Sequence, residues 1–450
     1  MEMTAFKERL FKAGSKAGFE EMELYYVNGE KFSTKVYENE VDSYTVANDG
    51  GLSFRGLIDG QMGYAYTEKI DETSIDLLVQ EAKENLGILD TEDREDLFEG
   101  SSSYPQLDLY AEKLEQITPQ EKIAFLKKLE KACKDQSEKV SSVNYCMLQS
   151  FASEKRIANS KGLDVQNKGN AVYVFVSVVV KEKEDIKSAQ TLKVSRDFSK
   201  FDAGKIAEEV VAEALSYLGA EPVKSGQYPV ILKNKAAASL FQTFVGSFSA
   251  ENIQKGKSRL AGKIGEKVAG ENITVIDNPH DEKRFSSRSF DSEGVPTKPL
   301  NVIENGVLQT FLHNRKTAKK DGVSPTGHAS KASYKGTIGI SPSNMTIKAG
   351  KKSYDDLISE SQEAVVITDL QGLHSGANPI SGDFSLAAHG YLVKAGKIVR
   401  PVNQITVAGN FFTLLQQVEE VGNDLEIELP SGGSIGSPSL KVANLSIGGK

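Results

Sequence analysis

Residues 23–67 read ELYYVNGEKFSTKVYENEVDSYTVANDGGLSFRGLIDGQMGYAYT. Apolar and polar residues alternate through 23–27, 32–37, 43–47, 51–58 and 63–67, rich in the β-branched and aromatic types that strands favour. Asn28-Gly29, Asp49-Gly50-Gly51 and Asp59-Gly60 punctuate these runs and read as turns. The stretch is therefore a series of strands. Helical periodicity flanks it. Residues 4–17 put Phe6, Leu10 and Phe11 on one face, and a second helix is expected near 73–85.

Moving outward, the same order recurs. A helix over 119–135 leads into strands near 140–148, 154–159, 164–168 and 170–180, and a helix over 203–218 closes the set. Both units read helix, strands, helix, a duplication of pattern without identity. Between them, residues 88–106 are acidic and then Ser-rich, as a linker or exposed excursion would be. From Gly226 the character changes. A strand at 228–232 and one prominent helix at 236–254 precede a Gly-rich, β-rich remainder, with turns at Asn305-Gly306 and Ala395-Gly396. The expected fold is α+β: an N-terminal domain (1–100), a central domain (101–222) and a β-rich C-terminal domain (223–450).

Composition narrows the function. A chain of 450 residues can bury a large core and divide into two or three domains. Its net charge of −8 gives no support to a nucleic-acid-binding surface. No stretch approaches the ~18 apolar residues of a membrane span. The amphipathic, charged N-terminus lacks the apolar core of a signal peptide. Only Cys133 and Cys146 occur, too few for a disulfide framework and spaced like no zinc motif. These features suit buried or surface thiols in a reducing cytoplasm.

Isolated motifs carry little. GGSIG at 432–436 has the form of a hydrolase elbow around Ser434, but Pro438 follows at once and His389, the last histidine, lies upstream. GKS at 256–258 would need a glycine at position 251, which is Glu251. His280, His313, His328, His374 and His389 are scattered, with no helical i, i+4 pair. They could still converge on a metal in a displaced site. The segment 371–393, QGLHSGANPISGDFSLAAHGYLV, is more specific. Its polar loop holds His374, Asn378 and Asp383 and runs into a strand. Such a loop can grip a peptide main chain, or Asn378 and Asp383 can simply satisfy turns.

Taken together, several stretches resemble the TldD/PmbA family, once described as modulators of DNA gyrase and now regarded as metallopeptidase components. They are NDGG at 48–51 with FRGLIDGQMGYAY, LFQTFVGSFSAENIQKGKSRLAGKIGEKVA, FDSEGVPTKPLNVIENGVLQTFLHN, GLHSGANPISGDFSLAAHGYL and FFTLLQQVEEVGNDL. The similarity spans nearly the whole chain. It implies that the helix at 236–254 corresponds to the one on which TldD-type subunits carry HExxxH, whose two imidazoles hold zinc beside a glutamate base. At those positions this chain has Gln242, Thr243 and Ser247. An i, i+5 pair lies about 140° apart on a regular helix, so a local distortion at Gly246 would suit a shared ion. TldD-type proteins also draw a cysteine ligand from the C-terminal region, and no cysteine follows Cys146 here.

The resemblance therefore implies a PmbA/TldE-type subunit without catalytic or metal residues of its own. Zinc would sit on a TldD-type partner, and peptides would be the substrate. Gln242, Thr243 and Ser247 become vestigial positions, and His374, Asn378 and Asp383 candidates for lining a peptide cavity. In isolation a homodimer is possible, with a C-terminal β surface as the default expectation for symmetric pairing. The alternatives are a stand-alone peptidase with a displaced metal site and a protein-binding modulator, for instance of DNA gyrase.

Overall fold

The computed structural model describes residues 2–86, 96–427 and 433–450. Helix α1 (Met3–Ala17) leads into strands β1 (Glu21–Tyr37), β2 (Glu40–Ile58) and β3 (Gln61–Thr67) and helix α2 (Glu72–Glu84). The second set is α3 (Glu112–Glu115), α4 (Pro119–Asp135), β4 (Val140–Asn159), β5 (Asp164–Glu182), β6 (Asp185–Ser195) and α5 (Ala203–Ser216). The two units are not separate layers. Pairing of β1 with β4 joins all six strands into one antiparallel sheet, ordered β3-β2-β1-β4-β5-β6.

Two of the expected turns are absent, because the strands run straight through them. Asn28 faces Gly50 and Gly29 faces Asp49 inside the long β1–β2 ladder. The glycines there allow close approach: a Cβ on Gly51 would fall 2.6 Å from the Tyr334 ring. The strands expected at 140–148 and 154–159 likewise merge into β4. True turns occur where two successive residues take positive φ, as at Asp59 (52°) and Gly60 (75°) and at Asn305 (48°) and Gly306 (83°).

Local chemistry sets the helix ends. Asp71 and Asp202 accept from backbone N–H groups at the starts of α2 and α5. Thr118 and Glu121 form a reciprocal capping box on α4, with Pro119 in its first turn. Phe6, Leu10 and Leu78 of α1 and α2 pack on Leu24, Leu52 and Phe54 of the sheet. Farther along, Leu126 and Leu129 of α4 and Val210 of α5 pack on Val174, Val176 and Val178 of β5.

The 88–106 linker is described only from Asp96, and its residues 88–95 lie outside the described set. From there it is a strap and not an excursion. Leu97 is buried with its N–H donating to Glu21, and the Tyr104 hydroxyl donates to the Gly294 carbonyl.

The C-terminal part opens with β7 (Gly226–Leu232), α6 (Asn234–Phe244) and α7 (Ala250–Gln254). Then come β8 (Val275–Asp277), β9 (Leu300–Glu304), β10 (Val307–Leu308), α8 (Arg315–Asp321), β11 (Ala329–Lys331), β12 (Ile338–Ile340), β13 (Asn344–Ile347) and α9 (Tyr354–Ser359). The remainder is β14 (Glu363–Gln371), α10 (Leu373–Gly376), β15 (Asp383–Lys394), β16 (Lys397–Asn410), α11 (Phe411–Gln416), β17 (Val418–Val421), β18 (Glu426–Ile427), β19 (Ser434–Ser437) and β20 (Leu440–Gly448). One sheet runs β16-β15-β14-β7-β20-β17, and β20 also pairs back onto β16, closing five strands into a ring. A second sheet runs β10-β9-β8-β13-β19-β18. Helix α6 shares one core with both: Leu240, Phe241 and Phe244 lie with Val365 and Ile367 of β14 and Ile435 of β19.

Candidate functional site

Ala236, Ala237, Leu240, Phe241 and Phe244 recur at helical spacing, and all are buried. The Phe411 ring stacks on Phe244 at 4.5 Å between centroids and on Phe241 at 6.2 Å. The single helix expected over 236–254 is broken. After Phe244 the backbone tightens into a 3₁₀ turn at Val245–Phe248, becomes extended at Ser249 (ψ 123°), and resumes as α7. The freed groups are paired. The Gly246 carbonyl accepts from Asn252 Nδ2 at 2.8 Å and from the Ser249 N–H. Leu312 donates to the Phe248 carbonyl and accepts from the Ala250 N–H, drawing the chain out of helical geometry.

Gln242 and Thr243 are half-buried, and Ser247 is buried. Thr243 Oγ1 donates to the Ser239 carbonyl of its own helix at 3.0 Å. Ser247 Oγ donates to the Pro379 carbonyl at 3.2 Å, and Ser258 Oγ donates to the Ser247 carbonyl at 2.8 Å. The hydroxyls at two of the three positions are thus engaged with main chain. GKS at 256–258 serves this packing through Ser258 and forms no phosphate loop.

The 3.2 Å bond to Pro379 joins the two regions that the sequence singled out. Asn378 Oδ1 accepts from the N–H groups of Ile380 (2.9 Å) and Ser381 (3.2 Å), and the Asn378 N–H donates to the Asp383 carbonyl. Asp383 opens β15 and accepts from Asn410 Nδ2 at 2.8 Å. Hydrogen bonds from Asn410 and then Ser381 hold its carboxyl below the usual range. Asn378 and Asp383 therefore do satisfy turns, while both remain solvent-exposed. His374, in α10, is exposed, and α10 lies against α6. Arg259 reaches the Ser381 carbonyl at 3.1 Å. Two clefts of 390 and 320 Å³ open elsewhere, and neither is lined by any of these six residues.

The five histidines are apart in role. His280 Nε2 meets Thr297, and His328 Nε2 is 2.5 Å from Asp277 Oδ2. Burial pushes the Asp277 carboxyl up, but bonds from His328 and the Ser343 N–H outweigh it, and the net shift is downward. His313 is buried with Nδ1 unpartnered, and burial lowers its pKa. His389 lies edge-on to Tyr217 at 4.7 Å. Among the described residues, no three His, Cys, Asp or Glu side chains are grouped to hold a metal ion. Ser434 begins strand β19 and not an elbow, with its Oγ 3.0 Å from Ser286; Gly432 of that motif lies outside the described residues.

A buried titratable cluster escaped sequence reasoning. It fills the seam between the helix-free face of the N-terminal sheet and the C-terminal part. Arg55 Nε donates to Glu23 at 2.7 Å, and both side chains are buried. From β11, Lys331 donates to Ser53 at 2.7 Å, with its Nζ 4.5 and 4.7 Å from the Tyr25 and Tyr64 ring centres. Burial, then the neighbouring Arg55 charge, pushes its amine down to about 7. Asp291 accepts from the N–H groups of Glu293, Val295 and Ala329. Burial, then the Asp291 charge, pushes the Glu293 carboxyl up to about 8. Asp291, Ser292 and Glu293 are buried, and nothing local in DSEG at 291–294 marks them so.

A six-stranded sheet bearing two helix sets is joined to a β-rich part whose two sheets share one core with an apolar helix. Parts of the chain match family profiles described as domain 1 (22–86), the central domain (112–218) and the C-terminal domain (225–449) of PmbA/TldA metallopeptidases. The chain belongs to this PmbA/TldD family. Its fold is similar to that of a Thermotoga maritima protein described as a candidate modulator of a DNA gyrase: TM-score 0.91, 34% identity, covering 99% of this chain and 100% of that one. It is also similar to TldE of Thermococcus kodakarensis, with TM-score 0.90, 27% identity and 99% and 100% coverage. A metalloprotease PmbA homolog of Haemophilus influenzae is 27% identical over 92% of this chain and 89% of its own length.

Proposed function

We propose that this chain is a PmbA/TldE-like, non-catalytic subunit of a cytoplasmic zinc metallopeptidase that degrades unfolded or small peptides with a TldD-type partner. One observation carries the reading. The positions where the family's metal-binding residues are expected hold Gln242, Thr243 and Ser247, an amide and two hydroxyls. Thr243 and Ser247 are tied to the chain's own carbonyls. An amide is a poor zinc ligand, a threonine hydroxyl cannot replace a carboxylate base, and a serine is a weak ligand unless deprotonated.

The helix keeps a structural role, filling the core with Phe241 and Phe244 and anchoring the loop at Pro379. His374, Asn378 and Asp383 present an exposed polar rim beside it. That rim is one wall of a peptide cavity, and the partner supplies the other wall and the zinc. No helix among the described residues is long and apolar enough to cross a membrane, which fits a cytoplasmic complex. The division at 1–100, 101–222 and 223–450 belongs to the same proposal.

The test is an assay of an unfolded peptide with excess zinc. The chain alone is expected to be inactive, and the mixture with a TldD-type subunit to cleave. Robust zinc-dependent cleavage by the chain alone contradicts the proposal.

A further inference from the structure

The larger of the two clefts, 390 Å³, lies where the N-terminal sheet meets the C-terminal part. Its volume is in the range of small-molecule sites. One wall is the end of β6 with the start of α5, and the other is the 283–285 turn with β18. Both strands stand last in their sheets among the described residues. β6 contributes the consecutive residues 192–195, and the β18 side contributes 425–427. A sheet face would offer every second residue. The cleft therefore meets two strand edges, whose outer main-chain groups have no paired strand.

Part of the lining is apolar, with Phe201, Ile206, Phe285 and Ile427. The Phe285 ring is fixed in place. It lies 6.1 Å from the Phe151 ring, and the Arg196 guanidinium is 5.4 Å from its centre. Arg196 donates to the carbonyls of Leu109 and Arg284 at 3.0 Å each, and also to that of Glu282. That clamp ties the 283–285 turn to the end of β6, so the cleft is held open before anything binds.

The rest of the lining is charged, and cations prevail. Lys193, Lys200, Lys205, Lys283 and Arg284 face Asp202, Glu209 and Glu426. Lys193 pairs with Glu209 at 2.7 Å, and Arg284 with Asp281 at 3.2 Å. Asp202 accepts from the N–H groups of Gly204 and Lys205. Among the described residues, Lys200, Lys205 and Lys283 pair with no carboxylate. All three are exposed, in a chain whose net charge is −8. Cations that line a cleft with low-dielectric walls concentrate anions there.

We propose that this cleft binds a small anion with an apolar body. Lys200, Lys205 and Lys283 hold its carboxylate, sulfonate or phosphate, and Phe201, Ile206 and Phe285 pack against the body. The site is separate from the rim of His374, Asn378 and Asp383, and it needs neither zinc nor a second subunit. Helix α5 belongs to the N-terminal part and the 283–285 turn to the C-terminal part, so the ligand bridges them and should raise the melting temperature.

The test is calorimetric titration of the full chain alone with anilinonaphthalene sulfonate, so its outcome is independent of peptidase activity. Saturable binding of one probe per chain is expected, weakened about tenfold or more in Lys205→Glu/Lys283→Glu. Lys12→Glu, on α1, should bind as the wild type does. An unchanged melting temperature without probe will show that the double variant folds, and Lys200→Glu alone should weaken binding in the same direction. Naphthoate and octanoate should displace the probe, and the stronger of the two assigns an aromatic or an aliphatic body. Uncharged naphthol should not displace it. No saturable binding, full affinity in the double variant, or displacement by naphthol as strong as by naphthoate would overturn the proposal.

Discussion

Helix α6 and the inter-domain seam are opposites. The helix and the 3₁₀ turn after it bury apolar and hydroxyl side chains, Leu240, Phe241, Phe244 and Ser247 among them. The seam gathers Glu23, Arg55, Asp291, Glu293 and Lys331 with two strongly shifted pKa values. Strongly perturbed ionisable groups mark active sites only probabilistically, because structural networks perturb them too. Here they hold two parts of a fold together.

That contrast can be broken by mutation. Arg55→Ala leaves the Glu23 carboxylate buried without its partner and should cost about 3–5 kcal/mol in thermal or denaturant unfolding. Phe244→Ala, which empties the Phe411 stack in the other region, should cost a similar ~3–5 kcal/mol. A loss below about 1 kcal/mol for Arg55→Ala would show that the seam is wet and the pair unimportant.

The pH dependence sharpens the comparison. Glu293 has a folded pKa of about 8, above that of an unfolded carboxyl, so the folded chain holds a proton that the unfolded chain releases. Its contribution is complete below the ordinary carboxyl range and is lost as pH rises through about 8. Glu293→Gln should flatten that decline in melting temperature. Lys331 has the opposite sign. Its folded amine titrates near 7, below the unfolded value, so stability rises with pH from about 7 toward the ordinary lysine range. Lys331→Met should abolish that rise. Slopes unchanged in both variants would mean that neither group is buried in solution.

The smallest effects belong to Gln242 and Thr243. Gln242→Ala and Thr243→Ala, half-buried and uncharged, should shift stability by no more than about 0.5 kcal/mol. Loss of the assembled complex's activity in the exposed Asn378 and Asp383 variants, with melting temperature unchanged, would give the loop a peptide-binding role beyond its turns.

The α+β class, the helices near 4–17, 73–85, 119–135 and 203–218 and the turns at Asp59-Gly60 and Asn305-Gly306 were legible because their causes are local. The long ladders were not. Asn28-Gly29 and Asp49-Gly50-Gly51 look like turns until each is paired with the other across β1 and β2. The break at Val245–Phe248 depends on Leu312, far away in sequence, and on Asn252. Gln242, Thr243 and Ser247 stand out through the resemblance alone, since an amide and two hydroxyls have no signature of their own. The seam was invisible, because nothing local marks Glu293 or Lys331 as buried.

Zinc titration of the isolated, full-length chain tests the central claim most directly, with bound metal measured after dialysis. The account predicts no stoichiometric zinc, and the same result for Gln242→Ala and Ser247→Ala. One tightly held zinc per chain, lost on substitution of Gln242, Ser247 or His374, would contradict it.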